Sequence, residues 1–545
     1  MRALKIVLVM TAPAALAVAL VVSGRVPVQA QARTARQVVD AAAAALGGAE
    51  KLRAVRNITL VGYGQYAYQF GGGRITGEPT APEKYIAANE LRRVYDLEHN
   101  RFQLVERRSM LFPFLAPFGH SWAVVTQVLD GDIAYDVTAG KTVRVAREGD
   151  GALQVDGVHA RRMLMVTNPV VLVRALMDPA TQLSAPRRQG TLNLIDATLK
   201  QGDRLTAAFA STGLPAWIRW AGRQTNVGQM NFTTTFTGWS DATGASGILL
   251  PLAYQTRISY RDVDFFKLYV DAYQVDSAIP DLAAPEPVRT AQEPPSYPVP
   301  TITSQAIGKG VWRVNQGGTT IIEFRDHLVL YELGVSVAVA KAVIAHARTL
   351  APGKPVTHLI PSHNHFDHTA GLRQAVAEGL TIVQRRGSEP QFRDMVAHQA
   401  PDYPDDLARN PKPLKFIAVD DHLRMSDDMQ TLDLYWVRNN GHMADVLAGY
   451  IPSERLMMEG DLVTAAFEWQ HWPDGFRDLI TKYNLTVERI SPVHAVGLAQ
   501  GQSTLTRAQA EDLLKGGTER AREHCAAELA KGTYHPGCPV QSKYY

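Results

Sequence analysis

The chain has 545 residues, of which 46% are apolar and 20% charged, and its basic residues exceed its acidic ones by three. That length asks for two or three globular domains, while 42 Gly, 31 Pro and two Cys exclude collagenous, disordered and disulfide-framework classes. Arg2, Lys5 and Arg25 account for the whole basic excess, so no balance of charge remains to recruit nucleic acid or anionic lipid.

Residues 1–30 read as an export signal, because Arg2 and Lys5 precede an apolar stretch from Ile6 to Val22 and a small-residue site, Val28-Gln29-Ala30. Cleavage after Ala30 predicts a periplasmic or secreted protein with no stable membrane span afterwards. The alternative is an uncleaved anchor, but the stretch barely reaches spanning length and contains Ala12-Pro13.

Residues 31–279 are predicted to form a β-rich α+β domain. An alanine-rich helix from about Ala35 to Val55 opens it, followed by β-branched and aromatic runs at 57–63, 124–128, 133–137, 205–209, 217–220 and 254–260. A curved antiparallel sheet packed on helices is the expected result. With Gly213-Leu214-Pro215-Ala216-Trp217 and Gly247-Ile248-Leu249-Leu250-Pro251 late in the sheet, this half resembles the periplasmic lipoprotein-carrier and sensor fold. Gly71-Gly72-Gly73 lacks the Gly-Lys-Ser/Thr of a phosphate cradle and reads as a turn. The Pro-broken apolar run from Met110 to Trp122 fits a domain core, an active-site cap or a membrane contact.

Prolines crowd residues 280–300, where neither helix nor central strand is expected to persist, and this stretch reads as a linker. Three of the 16 histidines precede it and 13 follow, which directs the search for chemistry to the second half. There, residues 301–505 read as α/β: paired strands over 319–333 broken at Arg325-Asp326-His327, an amphipathic helix over 337–350, and an apolar strand over 356–361. Arg385 to Pro413 reads as a surface lid, wall or solvated loop. The aromatic run from Phe467 to Phe476 suits an apolar substrate pocket or core packing. A closing helix lies within residues 506–545, whose Cys525 and Cys538 are candidates for a local disulfide in an oxidising compartment.

The strand at 356–361 runs into Ser362-His363-Asn364-His365-Phe366-Asp367-His368, three imidazoles and a carboxylate within six residues. In extended backbone His363 and His365 point the same way and can share one ion, while Asp367 and His368, past the turn, can reach a second. His-x-His-x-Asp-His after a strand resembles the signature of the metallo-β-lactamase superfamily, an αββα sandwich, over roughly Ile307 to Leu505. The resemblance implies three further ligands in fixed order, and the chain supplies His442 in Gly441-His442-Met443-Ala444-Asp445, Asp461 in Glu459-Gly460-Asp461, and His494 in Ser491-Pro492-Val493-His494.

What the resemblance implies is one ion on His363, His365, His442 and Asp461, and another on Asp367, His368, Asp461 and His494. Two departures stand out. Glu332 occupies a position where many members have Asp, and the only cysteines lie beyond His494, which disfavours the branch that uses a cysteine as a second-ion ligand. Nitrogen and oxygen donors favour zinc over iron or manganese. About two Zn²⁺ roughly 3.5–4 Å apart would activate a bridging hydroxide, with Asp367 orienting the nucleophile and returning a proton to the leaving group. The expected function is an exported metallohydrolase acting on a small-molecule ester, lactone, amide (β-lactams included) or sulfate ester. A mononuclear iron dioxygenase of the persulfide-dioxygenase type and a non-catalytic periplasmic carrier are the rival readings.

Overall fold

The structure, a computed structural model, describes residues 34–68, 83–111, 122–138, 141–148, 157–241, 244, 246–296, 299–334, 336–438, 443–463, 472–494, 498–514, 526–527 and 530–531. The leader, Gly71-Gly72-Gly73, most of the apolar run at 110–122, His442, residues 467–471 of the aromatic run and both cysteines lie outside them. Among the described residues no helix is long and apolar enough to cross a membrane.

The first half builds one 14-stranded antiparallel sheet. Its first long strand, Asn57–Ala67, pairs with its last, Val263–Val275, so one meander runs outward from each side of this central pair. Helices Gly157–Val166 and Pro169–Met177 bridge the two meanders, and Val170, Leu172, Val173 and Leu176 bury their side chains. Asn168 caps the second helix by accepting the Val170 N–H, and Pro169 sits in the first turn, where its missing N–H costs nothing.

The single opening helix expected from composition is two, Ala35–Ala45 and Ala49–Ala54. Gly47 and Gly48 break it at φ +127° and +106°, and a Cβ at Gly47 would collide with the Gly247 carbonyl. The linker also differs from expectation. Glu286–Thr290 is a short helix with Pro287 in its first turn, a position proline tolerates, and Leu282, Ala284 and Val288 bury against Val94, Val128 and Tyr135.

The second half stacks two sheets. In the first, Ser304–Gly308, Val311–Val314, Thr320–Glu323 and Leu328–Tyr331 are antiparallel, and Val356–Ile360, Thr381–Arg385 and Lys415–Val419 continue it in parallel. The second holds His422–Ser426, Thr431–Val437, Val446–Ile451, Leu456–Glu459, Arg489–Pro492 and Leu505–Thr506. Between the sheets Val329, Tyr331, Ile360 and Val383 meet Leu432, Leu447, Leu456 and Met458, all fully buried. Each such side chain contributes about 1.5–3 kcal/mol through burial. Val337–Leu350 and Leu372–Glu378 cover the outside of the first sheet, and Trp472–Lys482 and Arg507–Leu514 the outside of the second, which completes the αββα order.

The segment from Arg385 to Pro413 is not a bare loop. It carries helices Glu389–Ala397 and Asp406–Arg409 and docks on the first half. His398 Nε2 lies 2.9 Å from the Gln229 carbonyl, the Asp402 N–H donates to Gln229 Oε1 at 2.7 Å, and Arg204 pairs with Asp402. Apolar packing is continuous across this junction, where Tyr260 of the first half meets Phe366 of the second with ring centroids 6.2 Å apart.

Candidate metal centre

The site gathers where strands end. Parallel neighbours Leu328–Tyr331 and Val356–Ile360 deliver Glu332 and the run Ser362–His368, and parallel neighbours Leu456–Glu459 and Arg489–Pro492 deliver Asp461 and His494. Tyr331 clips the two sheets together by donating its hydroxyl to the Leu447 carbonyl at 2.8 Å, while the Leu447 N–H donates to the Ser362 carbonyl at 2.8 Å.

The structure brings His363, His365, Asp367, His368, Asp461 and His494 to one place. His368 Nε2 lies 3.5 Å from Asp461 Oδ2 and 3.5 Å from Asp367 Oδ2, and His494 Nε2 lies 2.9 Å from Asp461 Oδ1 and 3.2 Å from Asp367 Oδ2. His363 Nε2 lies 3.8 Å from Asp461 Oδ2, and the His365 ring stands edge-on to that of His363 at 4.4 Å. Among the described residues, two groups have donor atoms within 4.8 Å of one another: His363, His368 and Asp461, and Asp367, His368 and His494. His368 thus belongs to both groups, whereas the sequence reading places it on the second ion alone.

The donor set fits a divalent cation. His368 Nε2 is buried and makes no hydrogen bond, although two carboxylates face it. The converging atoms are imidazole nitrogens and carboxylate oxygens, the set that suits zinc. Without a cation, protons hold this charge together. Burial disfavours the charged imidazole of His494, but Asp461 and Asp367 outweigh it and push the group up to about 10. His368 moves in the same direction: burial opposes its charge, and the carboxylates of Asp367, Glu332 and Asp461 prevail.

Three residues that the sequence reading did not assign orient these groups. Glu332, noted there only as a departure from family pattern, is 1% exposed. It accepts the Ser362 N–H through Oε1 at 2.6 Å and sets Oε2 3.1 Å from His368 Nδ1. That contact turns His368 Nε2 toward the site, as Ser362 Oγ, 2.8 Å from Nδ1, does for His363. Glu459 Oε2 accepts the N–H groups of Leu462 and Val463 and stiffens the turn that carries Asp461. Both Glu332 and Asp461 hold positive φ, +67° and +63°, a conformation costly for non-glycine residues and concentrated at functional sites. A Cβ at Gly460 would collide with the Ser362 side chain, so only glycine lets these two turns approach.

The first half reaches the site as well. Tyr68, 3% exposed at the end of the first sheet strand, has its phenol pushed well above the ordinary value by burial first and then by the charges of Asp367 and Asp461. Asn226 hydrogen-bonds the short helix that carries Asp367 and His368. Neither residue shows any sequence signal, because each is placed by folds of the chain far from the histidine cluster.

Glu332→Gln is expected to keep the fold and weaken metal binding about 10–100-fold, the usual cost of losing a partner behind a ligating histidine; chelator competition measures it, and an unchanged affinity would remove Glu332 from the account. A pH dependence follows from Glu459. Burial first, with Asp461 adding to it and the Leu462 and Val463 N–H groups opposing, pushes this carboxyl up to about 8. A folded value above the unfolded one means that its contribution to stability is complete below about pH 4.5 and lost as pH rises through about 8. His494, raised to about 10, has the same sign and extends the loss to higher pH. Metal-stripped protein should therefore unfold more easily at pH 8 than at pH 5, with Glu459→Gln flattening the trend; greater stability at pH 8 would contradict it.

Residues 312–494 match the metallo-beta-lactamase superfamily model. No curated protein matches the chain. Among solved structures, a metallo-beta-lactamase from Pontibacter korlensis is 16% identical, with 40% of this chain and 99% of that one covered and a TM-score of 0.30. TMB-1 is 14% identical over 41% of this chain and 100% of its own, with a TM-score of 0.31. The sec-alkylsulfatase Pisa1 from Pseudomonas sp. is 14% identical over 42% and 44%, with a TM-score of 0.30. The αββα domain that sets Glu332, His363, His365, Asp367, His368, Asp461 and His494 around one point is a member of the metallo-beta-lactamase superfamily, over residues 312–494 of the chain.

Proposed function

We propose that the chain is an exported dinuclear zinc hydrolase, periplasmic or secreted, that cleaves an ester, lactone, amide or sulfate ester of a small molecule. The observation that carries this reading is the pair of donor groups sharing His368, with Asp461 oxygens facing His363, His368 and His494. A mononuclear oxygenase has no use for a second cluster of Asp367, His368 and His494.

His363, His365, His442 and Asp461 would hold one ion, and Asp367, His368, Asp461 and His494 the other. Zinc, when bound, supplies Lewis acidity and lowers the pKa of water toward neutrality. The chain's own residues do the rest. Glu332 and Ser362 fix the ring orientation of His368 and His363, and the turn stiffened by Glu459 keeps Asp461 between the two groups. Asp367, whose Oδ2 stands 3.2 Å from His494 Nε2, faces the reacting space and orients the attacking water. It then carries the proton to the leaving group. Tyr68, buried in the first domain, feels the charges of Asp367 and Asp461.

The test is a hydrolysis screen of the full zinc-loaded chain against nitrophenyl esters, lactones, β-lactams and alkyl sulfates, beside His365→Ala. Turnover in one class, lost on substitution, supports the reading. No hydrolysis of any class, together with oxygen consumption by an iron-loaded chain, would overturn it.

A further inference from the structure

The helix that carries Asp367 and His368, Phe366–Thr369, is only four residues long. So short a helix leaves nearly all its carbonyls without an internal partner, and its direction depends on what holds it from outside. Within its own domain the Thr369 hydroxyl donates to the His365 carbonyl at 2.8 Å. Glu332 also holds the His368 ring from within the domain, and a further fastening comes from the first domain.

Asn226 sits at the tip of the hairpin between Pro215–Gln224 and Gly228–Asp241 and is fully buried. Its Nδ2 donates to the Phe366 carbonyl at 2.9 Å and to Thr369 Oγ1 at 3.1 Å, so its two bonds bracket Asp367 and His368. The side chain is itself held. Gln224 Nε2 donates to Asn226 Oδ1 at 3.2 Å, and Gln224 Oε1 accepts the N–H groups of Asn226 and Val227 at 2.7 and 2.8 Å. A buried chain of hydrogen bonds therefore runs from Gln224 through Asn226 and Thr369 to the backbone of His365, linking one domain's sheet to the other's histidine cluster. Buried networks in which every link is satisfied impose one geometry, and a lost link leaves a buried polar group without a partner.

We propose that Asn226 is a positioning residue for Asp367 and His368, so that the metal centre is built by both domains and its second ion depends on the first domain. The inference rests on the dinuclear reading above. Other contacts across the junction, such as Arg204 with Asp402, hold the domains together without touching the metal-bearing helix. They serve as the control for mere docking.

The experiment titrates the metal-free full chain with cobalt(II), follows the visible absorption of each bound ion, and measures thermal melting without metal. Asn226→Ala is expected to weaken one of two cobalt ions about tenfold or more and to alter its absorption band, as losing a supporting partner does. Arg204→Ala should leave both cobalt affinities and bands as in the parent. Should Asn226→Ala fail to fold, Thr369→Val, which removes one of the two bonds from the other side, carries the test in the same direction. Unchanged cobalt binding and bands in the variant that folds, or an equal loss in Arg204→Ala, would overturn the proposal. A parent chain that binds fewer than two cobalt ions would instead overturn the dinuclear reading, so the two failures are separable.

Discussion

Asp461→Ala is expected to lower kcat/KM by about 10³-fold or more, since a metal ion supplies several kcal/mol of transition-state stabilisation and each 1.36 kcal/mol is tenfold in rate. The reason is positional. Asp461 faces three imidazoles, at 3.8 Å from His363, 3.5 Å from His368 and 2.9 Å from His494, so its removal takes the anionic donor from the group it forms with His363 and His368 and the carboxylate beside His494 in the other. Asp461→Asn keeps the shape but not the charge and should fall between parent and Ala. Single-turnover kinetics on whichever substrate class the screen identifies would settle it, and a variant within about tenfold of the parent would mean that the residue does not join the two groups.

The largest stability effect is expected at Arg373, 1% exposed on the helix Leu372–Glu378. Its guanidinium forks onto Asp405 at 2.6 and 3.0 Å and donates to the carbonyls of Met395, Val396 and His398. Burial of Asp405 works against its charge, but the Arg373 hydrogen bonds and charge and the Ala408 N–H hold its carboxyl below the ordinary range. Arg373→Ala strands that carboxylate and opens three carbonyls, a loss of about 3–5 kcal/mol for a broken buried pair. The pair contributes above the unfolded carboxyl value near 3.8 and is lost as pH falls through the lower folded one, so the parent's margin over Arg373→Ala should shrink in acid. Urea unfolding of both proteins at neutral and acid pH provides the comparison, and a neutral-pH difference under about 1 kcal/mol would rule out a structural role of this size. Because Arg373 ties down the segment that docks on Gln229 and Arg204, the same substitution should loosen the contact between domains.

The histidine cluster was legible because its chemistry is local. Three imidazoles and a carboxylate in six residues after an apolar strand have few structural uses, and the strand and helix before them follow from residue patterns at 337–350 and 356–361. Asp461 and His494 became legible only through the family order. Glu332 was visible merely as an odd residue, since its role depends on a positive φ and on a register that sets it against Ser362 and His368. Asn226 and Tyr68 could not be read at all: Asn226 lies 140 residues from Phe366, and nothing in Thr225-Asn226-Val227 distinguishes it from any hairpin turn. The short helix within the linker was missed for a different reason. Counting prolines ignored where each one falls, and Pro287 falls in a first helical turn, where proline is at home.

Whether two ions share Asp461 is read from the metal content of the purified full chain beside Asp461→Ala, measured by elemental analysis. About two zinc per parent chain and a clear loss of metal in the variant are expected. One iron and no second ion, or a zinc content unchanged by the substitution, would contradict that sharing.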